Sequence, residues 1–333
     1  MVWNVCVIGA GINGLGTARE LQKRFGNQIT VTIVSEHKTP DTTSDVAAGL
    51  WMPYLINDER PELLKKWGLE TFEHMAQMER ECPDAGAFLC SGFKFDNQKE
   101  DDIAESIYRC YKHLTKKEIE DLGFGEFKYG TFRTTYFLEP SIYLAKLMKE
   151  FKADGGKILQ HKLKSVDELL VGKVDLIINC AGLGSRELFG DKEVKPIRGQ
   201  VIRVKCPSLK HFFVIGDDFY CLPNNHTAVL GGTHDEDVFD LTPCPKTADW
   251  ILKGNQKYVP VLKSAEVVKH RVGLRPYRKN VRVELEHHTT QNGKKISIVH
   301  NYGQGGSGIT MFYGCAKHAA DLAEVELKNR SKI

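Results

Sequence analysis

Gly9-Ala10-Gly11-Ile12-Asn13-Gly14 sets three glycines in the GxGxxG spacing. That spacing serves the binding of a pyrophosphate. The first glycine permits a tight turn, the second lets backbone approach the phosphates, and the third lets a helix pack close to a strand. The phosphates then rest at the positive end of the helix. Glu36 follows 22 residues after Gly14, close to the spacing of an acid that accepts hydrogen bonds from ribose hydroxyls and disfavours a 2′-phosphate. Thr42-Thr43-Ser44-Asp45-Val46-Ala47-Ala48-Gly49-Leu50-Trp51 is a row of small and hydroxylic residues. It suits close backbone approach to a large ligand and donation to phosphate. His300-Asn301-Tyr302-Gly303-Gln304-Gly305-Gly306-Ser307-Gly308-Ile309-Thr310 is a second glycine-rich turn at the far end of the chain. A helix N-terminus there would aim N–H groups at the C2 carbonyl of a flavin and stabilise a reduced, anionic ring. NAD and FAD share the first fingerprint, and the two further stretches favour FAD.

These groups need elements to hold them. Val5-Cys6-Val7-Ile8 reads as a buried parallel strand ending at Gly9. From Gly14 to Phe25 the residues Leu15, Ala18, Leu21 and Phe25 fall on one helical stripe. Ile29 to Val34 alternates and is β-branched, which predicts a second strand. Asp175 to Asn179 predicts another buried strand, running into Cys180-Ala181-Gly182-Leu183-Gly184. Ile296 to His300 predicts a strand, and Ile309 to about Leu327 a helix. Residues 55–145 are rich in charge and aromatics with no strand–helix alternation, while Gly199–Val204, Phe219–Leu222 and Ala228–Leu230 read as short strands of an antiparallel sheet. The expected fold is α/β: a Rossmann-like dinucleotide domain (1–54, 146–195 and 280–333) interleaved with a substrate domain on a mixed or antiparallel sheet (55–145 and 196–279).

Composition narrows the partners. The chain has 333 residues, enough for a large core. A formal net charge of +3 gives no reason to expect nucleic acid. Nine cysteines without a CxxC pair predict unpaired thiols, a reducing compartment and no bound metal. No apolar run reaches the roughly 18–20 residues of a membrane span, and the N-terminus lacks the basic leader of a signal peptide. The tripeptide Ser331-Lys332-Ile333 is similar to the Ser-Lys-Leu peroxisomal address, so a peroxisomal matrix protein, otherwise a cytoplasmic one, is expected, with an import receptor as a partner.

Seven stretches together resemble the D-amino acid oxidase and D-aspartate oxidase family: GAGINGLG (9–16), TTSDVAAGLW (42–51), NCAGLGSREL (179–188), PIRGQVIRV (196–204), VLGGT (229–233), VGLRPYR (272–278) and HNYGQGGSGIT (300–310). The resemblance implies FAD contacts at Gly9, Gly11, Ile12, Asn13 and Gly14, then at Ser35 and Glu36. It implies further contacts at Thr42, Thr43, Ser44, Ala48, Gly49 and Leu50, at Leu163 and Gly182, and from Gly305 through Gly306, Ser307, Gly308 and Ile309 to Thr310. It also implies oxidative deamination. Flavin N5 takes a hydride from Cα of a D-amino acid, the imino acid hydrolyses to a 2-oxo acid and ammonia, and O2 becomes hydrogen peroxide.

By the same resemblance Arg275 grips the substrate carboxylate, for which its planar fork is suited. Tyr220 bonds that carboxylate too, and the Gly306 carbonyl accepts from the substrate amine. None of the 12 histidines is needed as a base. The sequence leans toward D-aspartate and D-glutamate, with neutral D-amino acids as the alternative. Gly182–Arg186 and Val272–Arg278 resemble D-aspartate oxidases, whereas Gly49–Tyr54, including Met52 in the side-chain pocket, resembles oxidases of neutral substrates. An acidic side chain needs a cation in the pocket. Vertebrate D-aspartate oxidases have Arg where this chain has His234, and another Arg near Val214-Ile215. His234 is the expected cation, ahead of Lys210 and His211. Two other classes share parts of the pattern: NAD-dependent dehydrogenases or dinucleotide-binding modules, and amine oxidases of the sarcosine or glycine type.

Overall fold

A computed structural model describes residues 2–100, 102–289 and 293–330. Ser331-Lys332-Ile333 lies outside the described residues. Among the described residues, fourteen strands form one sheet: β1 (Trp3–Ala10), β2 (Ile29–Lys38), β3 (Ala87–Asp96), β4 (Cys110–His113), β5 (Tyr129–Leu138), β6 (Lys157–Gln160), β7 (Leu176–Asn179), β8 (Lys195–Lys205), β9 (Phe212–Ile215), β10 (Phe219–Pro223), β11 (Ala228–Gly231), β12 (Asp235–Glu236), β13 (Glu266–Thr289) and β14 (Lys295–Gln304). Their order is β4-β5-β3-β9-β10-β11-β8-β13-β14-β7-β1-β2-β6, with β12 on β8.

From β14 to β6 every pairing is parallel. β7 is buried throughout, as a strand covered on both faces should be. Among the helices, α1 (Ile12–Phe25) buries Leu15, Ala18 and Leu21, the predicted stripe. The last helix, α8 (Gly308–Arg330), lies against α1, with Phe312 and Ala316 beside Gly16. The 21-residue helix α3 (Pro61–Glu81) lies in the stretch where the sequence showed no alternation. It packs on α8, where the Gly314 N–H donates to Thr71 Oγ1 at 3.2 Å. Among the described residues, α2 (Thr43–Val46), α4 (Lys116–Asp121), α5 (Pro140–Ala153), α6 (Ser185–Leu188) and α7 (Pro245–Tyr258) complete the α-helices.

From β13 to β4 the pairings are antiparallel except for β9 on β3. This half has its own core around Phe95, Phe124, Ile202, Ile251 and Leu262. β13 joins the halves. Residues up to Tyr277 pair with β8, those from Arg282 onward pair with β14, and a register shift separates the two runs. The sequence missed this 24-residue strand. Its pattern is broken by Gly273, Pro276 and a run of charged residues, because it serves two neighbours with different faces covered.

Candidate functional site

A cavity of about 1050 Å³ runs along the C-terminal ends of β1, β2, β7 and β14 and reaches β8, β10 and β13. Such a crevice beyond the carboxyl ends of parallel strands is where this class of sheet binds ligands. At one end the chain turns from β1 into α1. Gly9 takes φ +100, a conformation that favours glycine, and a Cβ there would meet the Cys180 carbonyl carbon at 3.0 Å. A Cβ on Gly14 would lie 2.9 Å from the Gly9 carbonyl carbon, so Gly14 serves the helix–strand approach and does not line the cavity. The Ile12 N–H donates to Ser44 Oγ at 3.1 Å, which sets the Ser44 hydroxyl at the α1 N-terminus. Thr42 donates to Asp45 Oδ2 at 2.6 Å within a capping box, so its hydroxyl is committed to shaping the loop. Ser35 is committed likewise. Its Oγ accepts from the Ala10 N–H at 3.1 Å and donates to the His37 carbonyl at 2.6 Å. Glu36 stands on β2 with Lys162 Nζ 3.3 Å away. Both side chains are largely exposed, so the pair is weak and can give way to ribose hydroxyls.

The second glycine turn is bolted to residues 52–55. Met52 N–H donates to Thr310 Oγ1 at 3.3 Å, and Thr310 donates to the Met52 carbonyl at 3.0 Å. Tyr54 N–H donates to Ser307 Oγ at 2.8 Å, and Ser307 donates to the Tyr54 carbonyl at 2.9 Å. The Gly306 N–H donates to the Leu55 carbonyl at 3.2 Å. Ser307 and Thr310 therefore hold the loop and do not line the cavity, while Gly305, Gly306, Gly308 and Ile309 do line it.

At the other end stand Arg275 from β13 and Tyr220 from β10, both in the cavity wall. Arg275 Nη1 donates to the Thr233 carbonyl at 3.0 Å, and its guanidinium lies 5.7 Å from the centre of the Tyr54 ring. Burial raises the Tyr54 pKa to about 12, with Arg275 opposing and Tyr220 and Asp217 adding to the rise. Burial likewise raises Tyr220, against Arg275. Both phenols stay protonated at neutral pH beside a fixed cation, where Tyr220 presents a donor. This arrangement can hold a carboxylate in one plane.

The cavity also gathers Gly9, Gly11, Ile12, Asn13, Ser35, Glu36, Thr42, Thr43, Ser44, Ala48, Gly49, Leu50, Met52, Leu163 and Gly182. His234 needs correction as the pocket cation. It is exposed and absent from the cavity wall, and the residues that follow it, Asp235 and Glu236, pair with Arg198 and Ile197 of β8. Lys210 and His211 also lie off the cavity, where His211 Nδ1 is 3.1 Å from the Ser91 carbonyl. His300 and His74 are away from the cavity too. His300 is fully buried, and burial first, then Arg282, lowers its pKa to about 4. Sequence reasoning passed over Tyr54, which lies two residues after Met52 in the Gly49–Tyr54 stretch. It also passed over the Lys162–Glu36 pair, for which no sequence signal exists.

The cavity fits a flavin dinucleotide. Glycine backbone borders it at both turns, an acid stands at the end of β2, and the hydroxyl of Ser44 caps α1. The DAO family of FAD-dependent oxidoreductases matches residues 4–322. The chain is 35% identical to the D-aspartate oxidase of Homo sapiens over 96% of this chain and 94% of that protein. It is also 35% identical to the D-amino acid oxidase of Dugesia ryukyuensis, over 96% and 97%. In fold it is similar to the glycine oxidase of Geobacillus kaustophilus, with a TM-score of 0.79 at 17% identity, covering 97% and 95% of the two chains. FAD is the cofactor, and the chain belongs to the DAO family of FAD-dependent oxidoreductases.

Proposed function

We propose that this chain oxidises D-amino acids with uncharged side chains to 2-oxo acids, ammonia and hydrogen peroxide, with O2 as acceptor. Bound FAD supplies the hydride acceptor for the Cα–H bond and passes the electron pair to O2. The protein's own groups do the positioning. Arg275 and Tyr220 hold the carboxylate, and the Gly306 carbonyl accepts from the amine. With those two groups pinned, a D-configured Cα would turn its hydrogen to the cofactor, and Met52, Tyr54, Val214 and Leu222 of the cavity wall would receive the side chain. The substrate amine reacts as the neutral base, so no side-chain base is required. In this reading the parallel half holds the cofactor and the antiparallel half the substrate.

The observation that carries the side-chain preference is the charge around that pocket. Among the described residues, Arg275 is the cation of the cavity wall found beside Tyr54 and Tyr220. The other Lys and Arg residues of the wall are Lys162, Arg186, Lys269 and Arg271. Lys162 pairs with Glu36, Arg186 donates to the Lys192 and Val194 carbonyls at 3.1 and 2.7 Å, Arg271 donates to the Pro40 carbonyl at 3.1 Å, and Lys269 is exposed. Asp217, in the turn between β9 and β10, adds negative potential at Tyr54. A substrate carboxylate in the side chain would be desolvated there without a partner. Identity to the human D-aspartate oxidase favours a second reading, in which D-aspartate and D-glutamate are the substrates. Peroxide release from the FAD-loaded protein with D-alanine, D-methionine, D-aspartate and D-glutamate separates them. Faster turnover of the neutral pair is expected, and a clear preference for the acids would overturn the neutral assignment. We also propose a peroxisomal location through Ser331-Lys332-Ile333. A fluorescent fusion should lose its punctate distribution when those three residues are removed, and an unchanged distribution would exclude it.

A further inference from the structure

Two of the motifs, PIRGQVIRV at 196–204 and VLGGT at 229–233, place glycines in or directly after strands, and the Gly231–Gly232 peptide is cis. Gly199 lies inside β8, opposite Gly273 of β13. Gly231 ends β11, opposite Tyr220 of β10, and Gly232 follows it. None of the three has the left-handed φ that would call for glycine. A glycine inside a strand weakens the strand, and it often marks the close approach of another group. Here that other group is in each case a side chain of the carboxylate site.

A Cβ on Gly199 would overlap the Arg275 guanidinium, coming within 2.5 Å of Cζ. A Cβ on Gly231 would come within 2.5 Å of Tyr220 Cε2, and one on Gly232 within 3.0 Å of the Tyr220 hydroxyl. The guanidinium is further bounded by the Tyr54 ring and by the Thr233 carbonyl. Tyr54 is itself fixed by the paired bonds of its backbone to Ser307. Arg275 and Tyr220 thus lie flat against bare backbone, and the remaining guanidinium N–H groups have few ways to turn.

We propose that Gly199, Gly231 and Gly232, with the Tyr54 ring, form a seat that fixes the spacing of the Arg275 fork and the Tyr220 hydroxyl, and so selects substrates with a carboxylate on the reacting carbon. These are positioning residues that act through Arg275 and Tyr220. The inference rests on the proposed oxidation of D-amino acids. The alternative role is packing, in which the Tyr220 ring merely covers a strand glycine.

Gly199→Ala is the informative change. The atoms its Cβ would meet are the far end of a flexible side chain, so Arg275 can move aside while the backbone stays. The FAD-loaded variant should show KM for its best D-amino acid raised about 10- to 100-fold, the loss of one or two charge-assisted hydrogen bonds. Propionate, titrated against the flavin absorbance, should lose affinity by a similar factor, and FAD affinity should stay within about twofold. Tyr54→Leu should weaken propionate about tenfold, and Tyr54→Phe, which keeps the ring, about threefold or less. Unchanged KM and propionate affinity in Gly199→Ala would overturn the seat, as would a loss of FAD affinity as large as the loss of propionate. If Gly199→Ala does not fold, equal propionate affinity in Tyr54→Phe and Tyr54→Leu overturns it. Propionate binding reads the seat without turnover, so a wild-type protein that binds propionate but oxidises no D-amino acid would sink the oxidase reading alone.

Discussion

The two ends of the cavity are built in opposite ways. The proposed nucleotide end is local: β1, its glycine turn, α1 and β2 follow in order, Ser35 and Glu36 stand on β2, and Ser44 comes soon after it. The proposed substrate end is assembled from Tyr54, Gly199, Tyr220, Thr233 and Arg275, which come from five separate stretches of chain. A local site keeps its geometry through backbone conformation. A dispersed one keeps it through side-chain contacts across strands, so single substitutions there should change chemistry before they change the fold.

Arg275→Leu should test that contrast most severely. It should lower kcat/KM for any D-amino acid by about 10³-fold, because the carboxylate loses a bidentate cation. The flavin spectrum and Tm should hardly move. A parallel loss of flavin would show that the two ends are not separable. Gly11→Leu is the converse change. A Cβ on Gly11 already lies 3.2 Å from Ser44 Oγ, and a larger side chain enters the cavity. FAD affinity should fall about 100-fold, read by fluorescence titration of the apoprotein, a loss of about 2.7 kcal/mol. Retention of tight FAD binding would contradict the placement of the phosphates.

The junction of β7, β13 and β14, away from both ends, should respond to acid. His300 on β14 meets Asn179 of β7 at 3.0 Å and Glu286 of β13 at 3.1 Å. Its pKa is lowered from near 6.5 to about 4, chiefly by burial. The unfolded chain therefore takes up the proton first as pH falls. The stability tied to neutral His300 is present in full above pH 6.5, and is lost on going down toward pH 4 at about 1.4 kcal/mol per pH unit. A Tm series from pH 7.5 to 4.5 should slope downward below 6.5, and His300→Gln should flatten that slope. The smallest effect belongs to Glu36→Gln. Its carboxylate is half-exposed and already shared with Lys162, so FAD affinity should drop about two- to fivefold by the same titration.

The same contrast explains what the sequence disclosed. β1, α1, β2, β7, β14 and α8 were legible because each carries its own periodicity and its glycine punctuation. β2 runs on to Lys38, beyond the predicted Val34, because Ser35 still pairs with β6 and Lys38 pairs with Ala10 of β1 after a register shift. α3 was missed because its apolar face, with Trp67, Phe72 and Met75, is spaced among many charged residues and is completed by α8. Arg275 and Tyr220 were reached by resemblance, and geometry then brought them to one wall. Tyr54 and the role of Gly199 required coordinates, since what makes them matter is a side chain 76 or more residues away in sequence. His234 misled because adjacency to Thr233 in sequence does not keep it at the cavity.

The most direct test is anaerobic. The FAD-loaded protein is mixed with D-alanine, L-alanine or D-aspartate, and the flavin absorbance band is followed. Bleaching within seconds by D-alanine, none by L-alanine, and much slower bleaching by D-aspartate is the predicted result. Bleaching by L-alanine, or by no amino acid at all, would contradict the account of a carboxylate held by Arg275 with the D-configured Cα–H turned to the cofactor.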